Sequence, residues 1–276
     1  MEILTSTTKI SCIQPKASPK MDRIFAAMCK GFPNTSINTT PFDLAVLWGL
    51  IGNNVTRIKH GEKPFIFCDM PYHGRLDSSK NLTDRDYDRS YWRMCFGDIH
   101  NNTQHDLPND RFKEWGIELS PYREGKYILI CPSSESVTML LHGVTVSQWI
   151  ESTRKSIQQH TTKPVRVRMK PRAKGTSGPA AVSGNTKTIE QELEDTHALV
   201  TSASLTAVDA LKAGVPVFAT SDSCPAAWCT NRDFSLLDNP NKYDRTRLFN
   251  NLAYKQFTIE ELRNGTAYDI MRTRLL

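Results

Sequence analysis

The sequence predicts an α/β fold made of two doubly wound domains with parallel sheets. Short apolar, β-branched or aromatic runs bounded by turn-forming residues indicate buried strands, and segments of helical periodicity lie between them. Strands that alternate with helices in this way form parallel β-α-β units. The length of 276 residues suits two domains, since a domain usually has about 100–200 residues.

Six runs predict strands, and four of them form an uninterrupted series in the second half of the chain. The predicted strands are Ile10–Ile13, Phe65–Cys68, Tyr127–Cys131, Val165–Met169, Ala198–Thr201 and Val215–Ala219. We place the domain boundary in the turn-forming segment just before Tyr127. The predicted units are an N-terminal domain, a second domain and a C-terminal helical segment, at residues 1–125, 126–250 and 251–276.

Helices are predicted where apolar residues recur at helical spacing. One buried face comprises Ile24, Phe25, Met28, Cys29 and Phe32. The run Thr40–Asp43 predicts a helix start, because Thr suits the N-cap and Pro the first helical position; this helix would carry Leu44, Leu47, Trp48 and Ile51. Further helices are predicted from Val146 onward and over Thr188–Thr196 and Leu205–Ala213.

Composition excludes several classes of protein. The chain is 39% hydrophobic and 23% charged, which is ordinary for a globular protein and excludes a fibrous or wholly disordered chain. No apolar run approaches the ~18 residues that span a bilayer. The first residues lack a secretory signal, so we expect a cytoplasmic protein.

The cysteines, the histidines and the net charge indicate which ligands and partners suit the chain. The seven cysteines are dispersed and form no C-x-x-C motif, which favours free buried thiols and no metal site. His100 and His105 are five residues apart, but no third ligand is spaced to join them. The net charge of +6 favours anionic partners such as nucleic acid or phosphorylated molecules.

Polar residues follow the second-half strands at the edge where ligands bind in open parallel sheets. Ser133 and Ser134 follow the strand at 127, Ser202 and Ser204 follow the strand at 198, and Thr220 follows the strand at 215. The strand at 165 leads into a cationic stretch that contains Arg168, Lys170 and Arg172. Helix N-termini and guanidinium groups bind phosphates, so this edge is a candidate phosphate site. Two alternatives remain: the serines serve as helix caps, or an internal Asp or Glu neutralises a buried arginine.

Residues 200–217, Val-Thr-Ser-Ala-Ser-Leu-Thr-Ala-Val-Asp-Ala-Leu-Lys-Ala-Gly-Val-Pro-Val, resemble the donor-binding segment of GT-B glycosyltransferases, in particular capsule-type and phage-encoded ones. The shared pattern is a strand, a Ser-rich turn, a helix with an acidic residue, and Gly-x-Pro before another strand. The resemblance extends roughly over residues 127–223 and implies two Rossmann-like domains with a cleft between them. It also implies that Asp209, where the family usually has Glu, takes the ribose hydroxyls. The basic Lys170-Pro171 element lacks the His that often stands before this Pro in the family.

A transferase of this kind implies a nucleotide-sugar donor, for which we expect a UDP-sugar, and no tightly bound cofactor. The acceptor would bind the first domain, where Asp69 and His73 follow a buried strand and are candidates for the catalytic base. The alternative is that Asp69 caps a turn and His73 is an ordinary loop residue. Cations and rings between residues 75 and 93 are candidates for acceptor or nucleic-acid contacts, since such groups stack on bases and hold phosphates. They are Arg75, Arg89, Trp92 and Arg93.

The main hypothesis is a hexosyl- or pentosyltransferase that modifies a hydroxymethylated pyrimidine in phage DNA, in the host cytoplasm. A base inside a duplex would have to be flipped out. One alternative is a glycosyltransferase of surface polysaccharide synthesis. Another is a non-catalytic nucleotide- or nucleic-acid-binding module on the same fold, since fold alone does not determine function.

Overall fold

The chain folds as two compact units, each with its own sheet. The computed structural model describes residues 3–16, 18–61, 63–76, 81–100, 102–170 and 187–276. Unit 1 comprises Met1–Trp115 together with Phe249–Leu276, and unit 2 comprises Gly116–Leu248. The boundary predicted at residue 126 therefore lies inside unit 2, and the C-terminal segment belongs to unit 1.

The first part of unit 1 contains five strands and four helices among the described residues. In chain order they are β1 (Ile10–Ile13), α1 (Pro19–Gly31), β2 (Thr35–Ile37), β3 (Leu44–Trp48), α2 (Asn54–His60), β4 (Phe65–Asp69), α3 (Asp84–Arg89), β5 (Tyr91–Phe96) and α4 (Asp110–Glu114). The predicted helix α1 is present: the Ser18 side chain caps it by accepting the Met21 N–H, and its buried face includes Ile24, Phe25 and Met28.

Unit 2 alternates strands and helices as the sequence predicts. Its elements are β6 (Tyr127–Ile130), α5 (Glu135–His142), α6 (Val146–Gln158), β7 (Val165–Val167), α7 (Ile189–Leu193), β8 (Thr196–Thr201), α8 (Thr206–Lys212), β9 (Val217–Ala219) and β10 (Thr230–Asn231). The C-terminal part of the chain adds α9 (Thr246–Tyr254), β11 (Gln256–Thr258), α10 (Ile259–Arg263) and α11 (Thr266–Ile270).

Each sheet is wholly or mostly parallel. The sheet of unit 2 has the order β10-β9-β8-β6-β7, and every neighbouring pair is parallel. The sheet of unit 1 has the order β11-β5-β4-β3-β1-β2; β5 is antiparallel to β4 and to β11, and the remaining pairs are parallel. The predicted fold class of two Rossmann-like α/β domains is confirmed.

The helix predicted from Thr40 is wrong, because Leu44–Trp48 forms strand β3. This strand lies between β1 and β4, and its first four residues are buried. A strand that is covered on both faces is a continuous apolar run, which periodicity cannot distinguish from a buried helix. Strands β2, β5, β10 and β11 were also not predicted.

Each sheet packs against helices through its own apolar core. In unit 1 the core joins Phe25 of α1, Val46 of β3 and Trp92 of β5 to Phe257 and Leu262 of the C-terminal segment. In unit 2 the core includes the strand residues Ile128, Ile130, Val200 and Phe218, with Trp149 of α6 packed against them. Since the cores are apolar, polar side chains lie in the loops at the carboxyl ends of the strands.

Candidate functional site

The candidate site lies at the carboxyl ends of β6 and β8, which are neighbours in the sheet of unit 2. From β6 the chain passes to β7 on one side, whereas from β8 it passes to β9 on the other. Loops that leave adjacent strands in opposite directions open a crevice, and ligands of open α/β sheets bind there. Here the two loops are the Ser133 turn, residues 131–134, and the Ser202 turn, residues 202–205.

Hydrogen bonds join these two turns directly. The Thr201 hydroxyl donates to the carbonyl oxygen of Cys131 at 2.6 Å, and the Ala203 N–H donates to Ser133 Oγ at 2.9 Å. Thr201 and Ser133 are both buried. Buried polar groups that are fully bonded hold a unique geometry, so the edge of the sheet is preorganised.

The serines predicted to hold a phosphate take part in building the Ser202 turn. Ser202 is 0% exposed, and its hydroxyl lies 2.6 Å from His142 Nε2. Ser204 Oγ accepts from the backbone N–H and the hydroxyl of Thr206, at 3.3 and 3.0 Å. Ser134 is exposed at the start of α5. Ser204 thus bonds to the first residue of α8, whose N-cap position is occupied by Leu205, while Ser134 occupies the N-cap position of α5 without a side-chain cap bond.

Arg168 and Asp209 lie at the same edge as these turns. Both are buried, at 8% and 7% exposure. Arg168 Nη1 donates to the carbonyl oxygen of Lys187 at 2.9 Å and lies 3.7 Å from the Glu192 carboxylate. An internal acid thus partners this arginine, which was one of the two alternatives for a buried arginine.

The Cys131 thiol, at the end of β6, is surrounded by these groups. Burial raises its pKa to about 12, while a hydrogen bond with Thr206 and the charge of Arg168 act in the opposite direction; the charge of Asp209 raises it further. The β7, β8 and α8 regions therefore all bring polar side chains to the end of β6. Arg168, Asp209 and the two serine turns thus lie near the end of β6; that they bind an anionic ligand together stays a prediction.

The other cations near this edge, which include the predicted Lys170 and Arg172 and also Arg166, are placed differently. Lys170 is exposed just after β7. Arg166 stacks on the Tyr127 ring, with its guanidinium carbon 4.0 Å from the ring centroid. Arg172 lies outside the described residues.

Two residues of this edge were missed by the sequence analysis as site residues. His142 ends α5 and contacts Ser202. Trp149, predicted only as a buried helical residue, donates its indole N–H to Thr220 Oγ1 at 3.3 Å, and its ring centroid is 6.3 Å from that of His142. Burial lowers the pKa of His142. No local sequence signal brings His142 to a serine sixty residues further along, so only the sheet order reveals the contact.

In unit 1, the candidate bases Asp69 and His73 lie at the carboxyl end of β4. Asp69 Oδ1 accepts the Met70 N–H at 2.7 Å, and Oδ2 lies 3.2 Å from Arg93 Nη2. The Asp69 side chain is 35% exposed. The His73 ring stacks on Trp115 with centroids 4.9 Å apart, and its backbone N–H donates to the Gln256 side chain.

Two of the four residues predicted to contact the acceptor, Trp92 and Arg93, are buried, which corrects that prediction. Trp92 is 0% exposed and packs against the ring of Trp48. Arg93 is 3% exposed, where it bonds to Asp69 and to His100. Residues of unit 1 cover both side chains, so these side chains contact the protein interior and not an acceptor. Arg75 is partly exposed and Arg89 is exposed.

Within the residues that the structure describes, no group of three or more His, Cys, Asp and Glu side chains is arranged to hold a metal ion. None of the helices there has the length and apolar character needed to span a membrane.

Comparison with known proteins gave structural neighbours only. No family model and no curated protein matches the chain. One similar structure is KpsC of Thermosulfurimonas dismutans, described as a beta Kdo 2,7 transferase, with a TM-score of 0.49, 10% identity and coverage of 94% of this chain and 99% of that one. A second, the beta Kdo 2,4 transferase of the same KpsC, has a TM-score of 0.43 and 10% identity and covers 91% and 92%. At these scores the similarity carries no conclusion about activity.

Proposed function

We propose that the protein is a glycosyltransferase that takes its sugar from a nucleotide-sugar donor. The observation that carries the proposal is the convergence of the Ser133 turn, the Ser202 turn, Arg168 and Asp209 at the crevice between β6 and β8. Such a crevice is where open α/β sheets bind nucleotides. The resemblance of residues 200–217 to GT-B donor segments supports the same assignment.

In this proposal the donor nucleotide lies along the carboxyl edge of the sheet of unit 2. The exposed Ser134 and Lys170 bind the phosphates, and the bonded Ser202 turn presents its backbone to them. Arg168 acts on the leaving phosphate as a fixed positive charge, since Glu192 and Lys187 already hold its guanidinium. Asp209 accepts the ribose hydroxyls. Catalysis then comes from orientation and from stabilisation of the leaving phosphate.

For the acceptor hydroxyl we propose Asp69 as the base. Its carboxylate is positioned by Arg93 and by the Met70 N–H, and its side chain keeps solvent access. A base must reach the proton that it removes, and Asp69 is the more accessible member of the ion pair with Arg93.

We propose a glycan acceptor rather than duplex DNA. The reason is the burial of Trp92 and Arg93, because an aromatic ring must be accessible to stack on a base. The hydroxymethylated pyrimidine is thereby the second candidate acceptor in the test, and the UDP-sugar remains a prediction. Since the two similar structures are described as Kdo transferases, Kdo belongs among the sugars to be tested.

The test is release of free nucleotide from a panel of nucleotide sugars, with glycan, with hydroxymethylated DNA and with neither. We expect release to depend on the glycan, and Asp209→Asn to lower kcat/KM by about 10–100-fold, the scale of a hydrogen bond to a charged group. The matched control is Asp195→Asn, since Asp195 is an exposed partner of Lys126. Tight nucleotide binding without turnover on any acceptor would instead favour the non-catalytic module.

A further inference from the structure

His142 is held in a defined position beside the Ser202 turn. It is the last residue of α5, and Gly143 ends the helix with a left-handed φ of 69°. The Glu135 carboxylate at the other end of α5 accepts the Val146 N–H that starts α6, at 3.3 Å. The imidazole is half-buried, with Ser202 at its Nε2 and the Trp149 ring nearby.

The contact with Ser202 determines which imidazole nitrogen carries the hydrogen. Ser202 is fully buried, and a buried hydroxyl needs an acceptor for its one hydrogen. Across the described part of the chain, the partner recorded for Ser202 Oγ is His142 Nε2, at 2.6 Å. Burial lowers the pKa of His142, which favours the neutral ring. When Ser202 donates to Nε2, the hydrogen of a neutral ring lies on Nδ1.

In this tautomer Nδ1 carries the hydrogen and can donate a hydrogen bond. The contacts recorded for His142 side-chain atoms among the described residues are those of Nε2 and of the ring face, and the ring is partly exposed. A partly exposed imidazole beside the Ser202 turn can offer this N–H to an anionic ligand. Phosphate oxygens are strong acceptors for such donors.

We infer that His142 binds the phosphate of the nucleotide through its Nδ1–H, with Ser202 as the buried group that sets this tautomer. The inference rests on the proposed function, because it assigns one more residue to the same donor site. It differs from a purely structural role, in which His142 would only fix the Ser202 turn.

Two substitutions separate these roles, since the Gln amide is placed like Nε2 and the Asn amide like Nδ1. His142→Gln keeps the Ser202 contact and loses the Nδ1 donor, so we expect unchanged thermal stability and UDP binding that is about tenfold weaker, the scale of one charge-assisted hydrogen bond. His142→Asn keeps an Nδ1-like donor and loses the Ser202 contact, so we expect lower stability and binding weakened by less than in the Gln variant. His160→Gln is the control, since His160 is exposed in the same unit.

The ¹⁵N chemical shifts of the His142 ring report the tautomer without reference to binding. We expect hydrogen on Nδ1 in the free protein and a shift of Nδ1 on addition of UDP. Hydrogen on Nε2 in the free protein would overturn the inference, as would UDP binding by His142→Gln equal to that of the parent. In both of those cases the proposed function would stand, provided that the parent binds the nucleotide. If the parent binds neither UDP nor GDP nor CMP, the proposed function fails and the inference fails with it.

Discussion

Ser133 and Ser134 are neighbours in the chain with opposite surroundings. Ser133 is buried and accepts the Ala203 N–H, while Ser134 is exposed and lies 3.5 Å from Ser136. Ser133→Ala leaves a buried N–H without its partner, which costs about 1–3 kcal/mol of the free energy of unfolding. Ser134→Ala is the matched control, with an expected change within about 0.5 kcal/mol.

Urea unfolding of both variants provides the measurement. Equal stability of Ser133→Ala and Ser134→Ala would contradict the bond between the two turns. Ser134→Ala has a second readout, because we place its hydroxyl on the nucleotide phosphate. Its UDP affinity is expected to fall while its stability does not.

Gly214 lies where the backbone itself leaves no room for a side chain. Its φ is +73°, and a Cβ there would lie 2.0 Å from the carbonyl oxygen of Pro121. Gly143 has a similar φ of +69°, but nothing lies within 4 Å of its Cβ position. Gly143→Ala therefore pays only the left-handed strain of about 1–2 kcal/mol, and we expect Gly214→Ala to lose at least about 1–3 kcal/mol more through steric overlap.

The comparison of these two glycine variants is made by the midpoint of urea unfolding. Because the strain is common to both, the difference between them isolates the close approach of residues 214 and 121. Variants of equal stability would show that the backbone relaxes there at no cost.

At the scale of elements, the connection from α9 to β11 contains a buried cation. Lys255 Nζ donates to the carbonyl oxygen of Thr103 at 2.7 Å, and burial lowers its pKa to about 8. In the unfolded chain a lysine has a pKa of about 10.4. Between these two pH values the unfolded chain binds a proton that the folded chain lacks, so this group makes stability rise with pH. Below about pH 8 Lys255 is charged in both the folded and the unfolded chain, and burial of this charge lowers the free energy of unfolding by its full amount.

Lys255→Met removes this contribution. We expect the free energy of unfolding of the parent, relative to the variant, to rise between about pH 8 and 10 by up to about 1.4 kcal/mol per pH unit. Cysteines of the unfolded chain titrate in the same range, but they are common to both proteins and cancel in the difference. Parallel pH profiles from urea unfolding at pH 7 to 10 would show that Lys255 titrates normally in the folded protein.

Local patterns predict most elements of unit 2 because β6, β8 and β9 contain apolar runs that are bounded by turns, whereas the two-residue strand β10 (Thr230–Asn231) has no such run. The same patterns fail at β3, where a buried strand resembles a helix, and at β5. Strand β5 begins just after the charged helix α3 (Asp84–Arg89), and its own sequence includes Arg93. That arginine is buried only because Asp69 pairs with it from the adjacent strand. A pairing between residues 24 positions apart has no signature in a local window.

At the scale of the whole molecule, unit 1 is built from both ends of the chain. Strand β11 pairs with β5, and the core there contains Phe257 and Leu262 from the C-terminal segment. Gln256 accepts the backbone N–H groups of Tyr72 and His73, so this segment also positions the loop after β4. Local patterns predict residues 251–276 as a separate segment, because contacts between residues far apart in the chain leave no periodic pattern in the sequence.

For the candidate site too, local patterns are predictable from the sequence and contacts between distant residues are not. The order of the strands is known only from the structure, whereas the location of the site at the carboxyl ends of the strands follows from the alternation of strands and helices and from the rule for open parallel sheets, both of which are accessible from the sequence. The partners within it are not: the contact between His142 and Ser202 and the ion pair between Arg168 and Glu192 depend on how helices pack over the sheet. The sequence therefore locates the candidate site better than it identifies the contacts within that site.

The central claim is that a nucleotide binds at the carboxyl edge of β6 and β8, and a crystal structure of the protein with UDP tests it most directly. We expect the phosphates beside Ser134 and His142 and the ribose beside Asp209. A nucleotide bound on unit 1, or at the opposite edge of the sheet of unit 2, would contradict the account.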